Sequence, residues 1–283
     1  MNLTSLRLVK EILLKHGIRP SKGFGQNFLI NRGTVKKLVA TSAIQSNDTI
    51  LEIGPGIGTL TQELALAARK VIAVEKDKKM VEILRETLSG FKNIEIIHGD
   101  ALKANIQDSR LKTQGNPKFQ IPKAYKVVAN LPYYITAPAI RKFLESDQQP
   151  ESLTLIVQKE VAQRICAKPP KMSILAASVQ VYATPEIISY IKKTAFWPKP
   201  KVDAAILKIT PFPQPYSIDF PKFFTVVKAG FKQPRKQLVN NLSKELALPR
   251  AKAEQWLLQN TVQPARRAET LSIQDWINLT NTL

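Results

Sequence analysis

The fold is decided by the stretch Thr49-Ile50-Leu51-Glu52-Ile53-Gly54-Pro55-Gly56-Ile57-Gly58, together with the helical periodicity of residues 59–68 that follows it. The run before Gly54 is apolar and rich in β-branched residues, which is typical of a short buried strand. A strand, a glycine-rich turn and a helix form the first unit of a doubly wound α/β sheet, in which ligands bind outside the carboxyl ends of the strands. The sequence therefore predicts a ligand site at residues 54–58.

The spacing of the glycines favours one class of ligand. In a dinucleotide-binding turn the third glycine lies five positions after the first. Here Gly58 lies four positions after Gly54, and Glu52 lies two positions before it. This E-x-G-x-G-x-G form resembles the cofactor loop of S-adenosylmethionine-dependent methyltransferases. A nicotinamide dehydrogenase is disfavoured by the spacing and by the lack of a candidate proton relay in the sequence.

Two further predicted strands each end in an acidic residue. The strand at 71–74 is followed by Glu75, 21 residues after Gly54, where an acceptor for two ribose hydroxyls is expected. The strand at 94–97 leads to Asp100, whose carboxylate can accept a hydrogen bond from the adenine amine of the cofactor. An isolated acid is more often a solvated loop residue. Three successive strands that present a glycine or an acid at one edge indicate a nucleoside-binding site.

The segment Asn130-Leu131-Pro132-Tyr133 follows a fourth predicted strand at 125–129. The Asn side-chain oxygen and a carbonyl beside the proline can both accept hydrogen bonds from one amino group, and proline keeps the corner rigid. The tyrosine offers a face on which a planar ring can stack. The alternative is an ordinary strand that runs into a Pro-containing turn. Beside a cofactor loop, the segment predicts a site that holds the exocyclic amine of a base.

Charge points to the kind of partner. The 283 residues include 42 Lys and Arg against 22 Asp and Glu, which gives a net charge of +20. Such an excess suits a polyanionic partner such as nucleic acid. The basic residues are spread along the chain, so they predict patches on a folded face and not a detachable tail.

The cysteine and histidine content argues against a disulfide-linked or metal-binding protein. A lone Cys166 rules out an internal disulfide, and the two histidines form no cluster with metal-ligand spacing, so no metal is predicted. The cysteine usage favours a reducing, cytoplasmic setting. No apolar run approaches the roughly 20 residues that span a bilayer, so no membrane association is predicted. The basic, amphipathic segment 3–16 could be an organellar presequence, although a docked helix is favoured.

The rest of the chain predicts further strands and helices. Strands at 153–157, 186–190 and 204–209 bring the total to seven, and helices are predicted at 6–14, 32–43, 137–144, 160–167 and 173–182. Residues 104–124 lack periodicity and predict a long surface loop. Residues 195–203 combine aromatics with cations, which is typical either of a Pro-stiffened connection or of a second stacking face beside phosphate-binding charge. After a proline-rich linker at 211–215, helices at 220–231, 235–246, 250–259 and 272–283 predict a separate helical module.

A family resemblance is carried by seven blocks: Gly25-Gln26-Asn27-Phe28-Leu29, Glu52-Ile53-Gly54-Pro55-Gly56-Ile57-Gly58, Gly99-Asp100-Ala101-Leu102-Lys103, Asn130-Leu131-Pro132-Tyr133-Tyr134-Ile135-Thr136, Val157-Gln158-Lys159-Glu160-Val161-Ala162-Gln163-Arg164, Phe196-Trp197-Pro198-Lys199-Pro200-Lys201-Val202-Asp203 and Gly230-Phe231-Lys232-Gln233-Pro234-Arg235-Lys236. Jointly they resemble the small-subunit ribosomal RNA dimethyladenosine transferase family from about Lys22 to the carboxyl end.

The resemblance implies two domains and a reaction. A Rossmann-like, seven-stranded class I methyltransferase domain is expected over 1–210, with segment 1–30 closing the cofactor site, and a helical RNA- or ribosome-binding domain over 211–283. The implied reaction uses S-adenosylmethionine to dimethylate two adjacent adenosines in a 3′-terminal hairpin loop of small-subunit ribosomal RNA. The implied partner is an immature 30S-type particle, and a cytoplasmic monomer with a role in small-subunit biogenesis is expected.

The resemblance also implies residue roles. Cofactor contacts are implied at Asn27, Leu29, Gly54, Gly56, Glu75, Asp100 and Asn130. For the target base, Asn130 and Pro132 are implied to hold the amine, with Tyr133 and Phe196 stacking on the two faces of the ring. Two positions depart from the family pattern: Asn31 stands where Asp is usual, and Lys171-Met172-Ser173 replaces a usual Tyr-Gly.

Two alternatives stay open. A large-subunit ribosomal RNA adenine methyltransferase of the macrolide-resistance type shares the cofactor loop and a similar Asn-x-Pro-Tyr block. Residues 199–203 and 231–235 favour the small-subunit enzyme. A mainly non-catalytic ribosome-assembly or organellar nucleic-acid-binding factor is the other alternative, and a variant lacking Glu75 would separate scaffold from enzyme.

Overall fold

The computed structural model describes residues 1–20, 25–103, 121–213 and 216–283. Contacts group these residues into two units, 1–162 with 186–211 and 163–185 with 212–283. Residues 163–185, which the sequence assigned to the first domain, therefore group with the carboxyl-terminal helices. The expectations for the loop at 104–120, for residues 22–24 of the glycine loop and for Pro215 of the linker lie outside the described residues.

The strands of the described chain form one large and one small sheet. Their bounds are β1 Phe28–Leu29, β2 Thr49–Ile53, β3 Lys70–Glu75, β4 Ile94–His98, β5 Lys126–Asn130, β6 Ser152–Gln158, β7 Ala183–Ile191, β8 Phe196–Trp197 and β9 Ala204–Pro211. The large sheet has the order β4-β3-β2-β5-β6-β9-β7, and β1 pairs with β8. Pairing is parallel from β4 to β6 and antiparallel between β6 and β9. The predicted seven-stranded, mostly parallel sheet is confirmed.

The strand order places the site. From β2 the chain builds outward through β3 to β4, and β5 then begins on the opposite side of β2, with Leu51 in register with Val127. This reversal is a topological switch point, where the loops after neighbouring strands turn away from each other and leave a crevice at the carboxyl edge. The glycine turn after β2 and the Asn130 segment after β5 therefore border the same crevice.

Helices cover the sheet and form the second unit. Their bounds are α1 Leu6–Lys15, α2 Arg32–Thr41, α3 Thr59–Ala67, α4 Lys78–Thr87, α5 Thr136–Leu144, α6 Lys159–Ile165, α7 Ile174–Gln180, α8 Phe220–Gly230, α9 Leu238–Glu245, α10 Arg250–Gln259 and α11 Ile273–Thr282. Each predicted helix is present with ends that shift by a few residues. None of the helices in the described ranges has the length and apolar character that a membrane span requires.

Helix α1 packs beside the glycine turn that follows β2, so the docked helix that the sequence favoured is present. Its buried residues pack in one cluster with Phe28, Ile57 and Met80. The Oγ1 of Thr59, the first residue of α3, donates a hydrogen bond of 3.2 Å to the carbonyl of Leu3, whose side chain is fully buried. Apolar burial of this kind stabilises the turn between β2 and α3 from one side.

The second unit has its own apolar core around Trp276, which is fully buried. Helix α8 ends beside it, because a Cβ on Gly230 would lie 2.4 Å from the Trp276 ring. The side-chain amide of Asn241 donates to the carbonyls of Gly230 and Gln233, at 2.6 and 3.0 Å. The glycine thus allows α8 and α11 to approach closely, and the amide fixes the chain that leaves α8.

Candidate functional site

A cavity of about 180 Å³ lies at the carboxyl ends of β2, β3, β4 and β5. Its wall is built from the glycine turn after β2, the acidic residues after β3 and β4, the Asn130 segment and the loop that precedes β1. The predicted site residues on this wall are Asn27, Leu29, Gly54, Gly56, Glu75, Asp100, Asn130, Pro132 and Tyr133. Phe196 is the member of the predicted set that does not line the cavity.

The glycine turn requires glycine for both conformation and space. Gly54 and Gly56 have φ angles of 65° and 59°, a region that L side chains rarely adopt. A Cβ on Gly54 would lie 3.7 Å from Pro132, and one on Gly56 would lie 3.4 Å from Phe28. The turn is therefore held between the Asn130 segment and the loop of β1, so these three elements shape the cavity together.

Glu75 at the end of β3 is positioned by backbone N–H groups. Its Oε1 accepts from Asp77 N at 2.8 Å and its Oε2 accepts from Gly56 N at 3.2 Å. Burial raises the pKa of this carboxyl, although the same hydrogen bonds lower it. Each carboxylate oxygen has a second lone pair, so Glu75 can still accept from two hydroxyl groups of a ligand.

Asp100 and the residues after it are held from two sides. The Oδ1 of Asp100 accepts from Leu102 N at 3.0 Å, and its Oδ2 pairs with Lys76 Nζ at 3.0 Å. Burial opposes ionisation, but the Lys76 ammonium and the Leu102 N–H lower the pKa of Asp100 overall. Lys142 of α5 donates to the carbonyls of Ala101 and Leu102, at 2.9 and 2.8 Å. The acceptor carboxylate is therefore ionised and fixed in place.

The Asn130 side chain is oriented by the loop before β1. Its Nδ2 donates to the carbonyl of Asn27 at 3.1 Å, and the Asn27 side chain donates in turn to the carbonyl of Gly25. Gly25 has φ 61°, and a Cβ there would lie 3.3 Å from Pro132, so this is the close approach that the glycine permits. Because the amide nitrogen of Asn130 is used in this way, its Oδ1 is the atom left to accept hydrogen bonds from a ligand.

The two aromatic residues predicted to stack on the base differ in position. Tyr133 lines the cavity, and within the described chain its phenol oxygen has no hydrogen-bond partner. Phe196 is only 3% exposed and packs in a core cluster with Leu29, Ile191 and Ile206. Its strand β8 pairs with β1, which carries the ring into the core. Phe196 does not share the cavity wall with Tyr133, so stacking by Phe196 stays a prediction.

Glu52 is a cavity residue to which the sequence assigned no role. It is 1% exposed, lines the cavity, and its Oε2 has no hydrogen-bond partner among the described residues. Burial raises the pKa of this carboxyl to about 8. A buried, unpartnered carboxyl oxygen is unfavourable unless a ligand satisfies it. The acid of the E-x-G-x-G-x-G pattern was the available signal. The site fits a ligand with positive charge, such as S-adenosylmethionine.

The two departures from the family pattern have local structural roles. Asn31 caps α2, with its Oδ1 accepting from Thr34 N at 2.8 Å, which an Asp carboxylate would do equally well. Ser173 caps α7 by accepting from Ala176 N at 3.0 Å and also donates to the carbonyl of Arg164. Neither residue lies on the cavity wall. Over the described residues no group of His, Cys, Asp and Glu is arranged to hold a metal ion.

Comparison with known proteins gives a consistent family match. The sequence matches the family described as ribosomal RNA adenine dimethylase over residues 18–283. It is 40% identical to a ribosomal RNA small subunit methyltransferase A of Dehalococcoides mccartyi, covering 95% of this chain and 90% of that protein. It is 41% identical to the protein of the same description from Shouchella clausii, covering 96% of this chain and 92% of that protein.

Solved structures share the fold. The crystal structure of the 23S rRNA methyltransferase ErmE has a TM-score of 0.71 and 27% identity, covering 91% of this chain and 99% of that one. A dimethyladenosine transferase from Plasmodium falciparum has a TM-score of 0.70 and 26% identity, covering 88% of this chain and 94% of that one. A 23S rRNA methyltransferase and a dimethyladenosine transferase are therefore both among its structural relatives.

Proposed function

The chain belongs to the ribosomal RNA adenine dimethylase family, and on that premise we propose that it transfers methyl groups from S-adenosylmethionine to the exocyclic amines of two adjacent adenosines in small-subunit ribosomal RNA. The observation that carries the proposal is the arrangement of Asn130. Its Nδ2 is bound to Asn27 O, so its Oδ1 remains as an acceptor on a cavity wall shared with Pro132 and two fixed acids.

Three carboxyl groups suit the parts of the cofactor. Glu75 would accept from the two ribose hydroxyls, and Asp100 from the adenine amine. Glu52 would face the positively charged end, where its unpartnered oxygen gains a counter-charge. When bound, S-adenosylmethionine supplies an electrophilic methyl group. The residues hold it by hydrogen bonds and charge, and the proposal assigns no metal.

The Asn130 segment would activate the target amine. The lone pair of the adenine amine is delocalised into the ring, which makes the nitrogen a poor nucleophile. Asn130 Oδ1 and a carbonyl beside Pro132 would accept from its two N–H groups and so favour a tetrahedral nitrogen, whose lone pair is available for reaction. Once alkylated, the nitrogen is acidic enough to lose a proton to water, so no side-chain base is needed. Catalysis would be mainly positioning and electrostatics.

Tyr133 would hold the target ring. An adenosine must leave its stack to reach the cavity, at a cost of a few kcal/mol. Stacking on an aromatic side chain is worth about 1 to 3 kcal/mol per base and so offsets much of this cost. Tyr133 lies on the cavity wall beside Asn130 and is suited to that role, whereas Phe196 is buried and does not line the cavity.

The small subunit is favoured over the large subunit as substrate. The relatives named as small-subunit enzymes are 39 to 41% identical over nearly the whole chain. The 23S-modifying structural relative is 27% identical. We therefore assign the proposed reaction to a 3′-terminal hairpin loop of small-subunit ribosomal RNA, within an immature 30S-type particle in the cytoplasm. We also propose that the chain acts as a monomer.

The test is methyl transfer to immature small subunits that lack these methyl groups. Wild-type protein with labelled S-adenosylmethionine should produce dimethyladenosine at two neighbouring positions, identified by mass mapping of RNA fragments. Asn130→Ala should lower the rate of transfer by about 10² to 10³, while cofactor binding, measured by calorimetry, is partly retained. Normal turnover by Asn130→Ala would overturn the assigned role.

The variant Glu75→Ala distinguishes a scaffold role from an enzymatic role. This variant should lose cofactor binding and transfer, yet still associate with the particle in a sedimentation assay. If wild-type protein associates with the particle but no methylated nucleoside is detected, the non-catalytic alternative is supported and the enzymatic proposal fails.

A further inference from the structure

Three chain segments beside the catalytic edge of the sheet are tied together by Asp203. Its carbonyl accepts from Lys159 N at 3.0 Å, at the end of β6, and its Oδ1 accepts from Lys193 N at 2.9 Å, just after β7. Asp203 itself immediately precedes β9. Asp203 accepts hydrogen bonds from the backbone N–H groups of Lys159 and Lys193, so it fixes the positions of these two lysines.

Tyr190 lies in this group and is 54% exposed, which is unusual for a large aromatic side chain. It is the penultimate residue of β7, and the Nζ of Lys159 lies 5.0 Å from the centroid of its ring. A cation over an exposed aromatic ring is the pairing that nucleic-acid-binding proteins use for a phosphate and a base.

The segment that follows Tyr190 carries charge of one sign. Residues 192–201 include four lysines and no acid. Of these, Lys192 is exposed, and Lys193 is half-buried with its Nζ 3.5 Å from the carbonyl of Lys201. We call Lys159, Tyr190, Lys192 and Lys193 the Tyr190 surface.

The Tyr190 surface lies at the same edge as the proposed catalytic residues. Asn130 is in register with Ile156 of β6, and Lys159 follows only three residues later. Asp203 also affects Tyr133. The pKa of the Tyr133 phenol is raised mainly by burial of the phenol and, to a smaller extent, by the negative charge of Asp203. Strand β7 lies three positions from β5 in the sheet, about 15 Å away at about 5 Å per strand. Nucleotides that flank an adenosine beside Asn130 could span that distance and reach Tyr190.

We infer that the Tyr190 surface binds the single-stranded nucleotides that flank the target adenosine, with one base stacked on Tyr190 and adjacent phosphates on the lysines. This rests on the proposed function, because it extends the same substrate beyond the cavity. Only an unpaired nucleotide can offer its ring face to a side chain, since bases in a duplex are already stacked on their neighbours. The surface would thus help the enzyme to select an open loop.

The probes are two synthetic RNAs of equal length and composition, a hairpin with an open loop that contains two adjacent adenosines and a fully paired hairpin. Tyr190→Ala should weaken binding of the open-loop RNA about tenfold, and Tyr190→Phe by less than about twofold, because stacking needs the ring and not the hydroxyl. Binding of the paired hairpin, the affinity for S-adenosylmethionine and the turnover at saturating RNA should not change.

The lysines are tested by the salt dependence of RNA binding. Lys159→Met and Lys192→Met should each reduce the slope of log affinity against log salt by about 0.7, the value for one phosphate contact on a single strand. Lys92→Met is the matched control. Lys92 is an exposed lysine just before β4, at the opposite edge of the sheet, and its removal should leave the slope unchanged.

Several results would overturn the inference. Tyr190→Ala could bind the open-loop RNA as tightly as the wild type. Tyr190→Ala and Tyr190→Phe could lose the same amount of affinity for that RNA, or Tyr190→Ala could lose the same amount of affinity for the open-loop and the paired RNA. A loss seen with whole particles and not with naked RNA would indicate a ribosomal protein as partner and would also overturn it. Absence of cofactor binding and methyl transfer by the wild type is a separate outcome, which overturns the proposed function, since the RNA-binding comparison does not depend on either.

Discussion

Replacing Asn130 by Asp keeps the shape of the side chain and its acceptor oxygen. It removes the N–H group that donates a hydrogen bond to the Asn27 carbonyl. The hydrogen bond is 3.1 Å long and partly buried. Leaving such an acceptor unsatisfied costs about 1 to 3 kcal/mol, and partial exposure favours the lower part of this range. Because the carbonyl belongs to the loop that forms one wall of the cofactor cavity, about 1 to 2 kcal/mol should weaken cofactor binding about 5- to 30-fold.

The Ala variant provides the contrast. Asn130→Ala removes both the N–H group and the acceptor oxygen, so it should weaken cofactor binding similarly and also lower kcat by about 10² to 10³, as expected when one preorganised polar group of an active site is lost. Asn130→Asp should lower kcat by less than about tenfold, because it can still accept from the target amine.

Calorimetry with S-adenosylmethionine and single-turnover methyl transfer to open-loop RNA measure the two effects separately. Asn278→Asp is the matched control, because it makes the same change of charge at an exposed position of α11. The reasoning is refuted if Asn130→Asp binds the cofactor as tightly as the wild type, or if its kcat falls as far as that of Asn130→Ala.

Three further predictions concern stability and pH. Phe196→Ala should lower the free energy of unfolding by about 3 to 5 kcal/mol in urea titrations, because the ring is buried in the core; a change below about 1 kcal/mol would argue for a mobile stacking ring. Gly230→Ala should destabilise by about 1 to 3 kcal/mol or more, because the new Cβ would lie 2.4 Å from Trp276, whereas Gly90→Ala, with open space around it, should have little effect; equal melting temperatures for the two variants would contradict this. Burial raises the pKa of Glu52 from 4.5 to about 8, so the folded chain keeps a proton that the unfolded chain loses, and this contribution to stability falls as the pH rises through that window. Without cofactor, the free energy of unfolding of Glu52→Gln should therefore increase relative to the wild type between pH 5 and pH 8, and parallel curves would refute the shift.

Much of the large sheet could be predicted because its strands are short, apolar and bounded by turn residues. The bounds of β2, 49–53, agree with the prediction, and β3 to β6 agree within about a residue or two at each end. The cavity residues Gly54, Glu75 and Asp100 were predicted for the same reason, since each lies within two residues of the carboxyl end of a strand. Parallel strands bring their carboxyl ends to one edge, so the order of residues along the chain was enough to place them together.

The pairing of β1 with β8 could not be predicted. Each strand has two residues, and they are separated by more than 160 positions, so neither has a periodic pattern. This pairing buries Phe196, which the sequence placed in a segment typical either of a Pro-stiffened connection or of a second stacking face. The place of Glu52 on the cavity wall was missed although the residue belongs to the E-x-G-x-G-x-G pattern, because a single acid in an apolar strand does not show which groups will surround it. The start of α9 moved from 235 to 238 because Pro234 favours a turn there.

The most direct measurement of the central claim is mass mapping of small-subunit ribosomal RNA after incubation of unmethylated particles with the purified chain and S-adenosylmethionine. The account predicts two adjacent dimethyladenosines in a hairpin loop near the 3′ end of the RNA with wild-type protein, and at least about 100-fold slower formation of them with Asn130→Ala. Methyl groups on large-subunit RNA instead, or RNA that gains no methyl group although the cofactor binds, would contradict it.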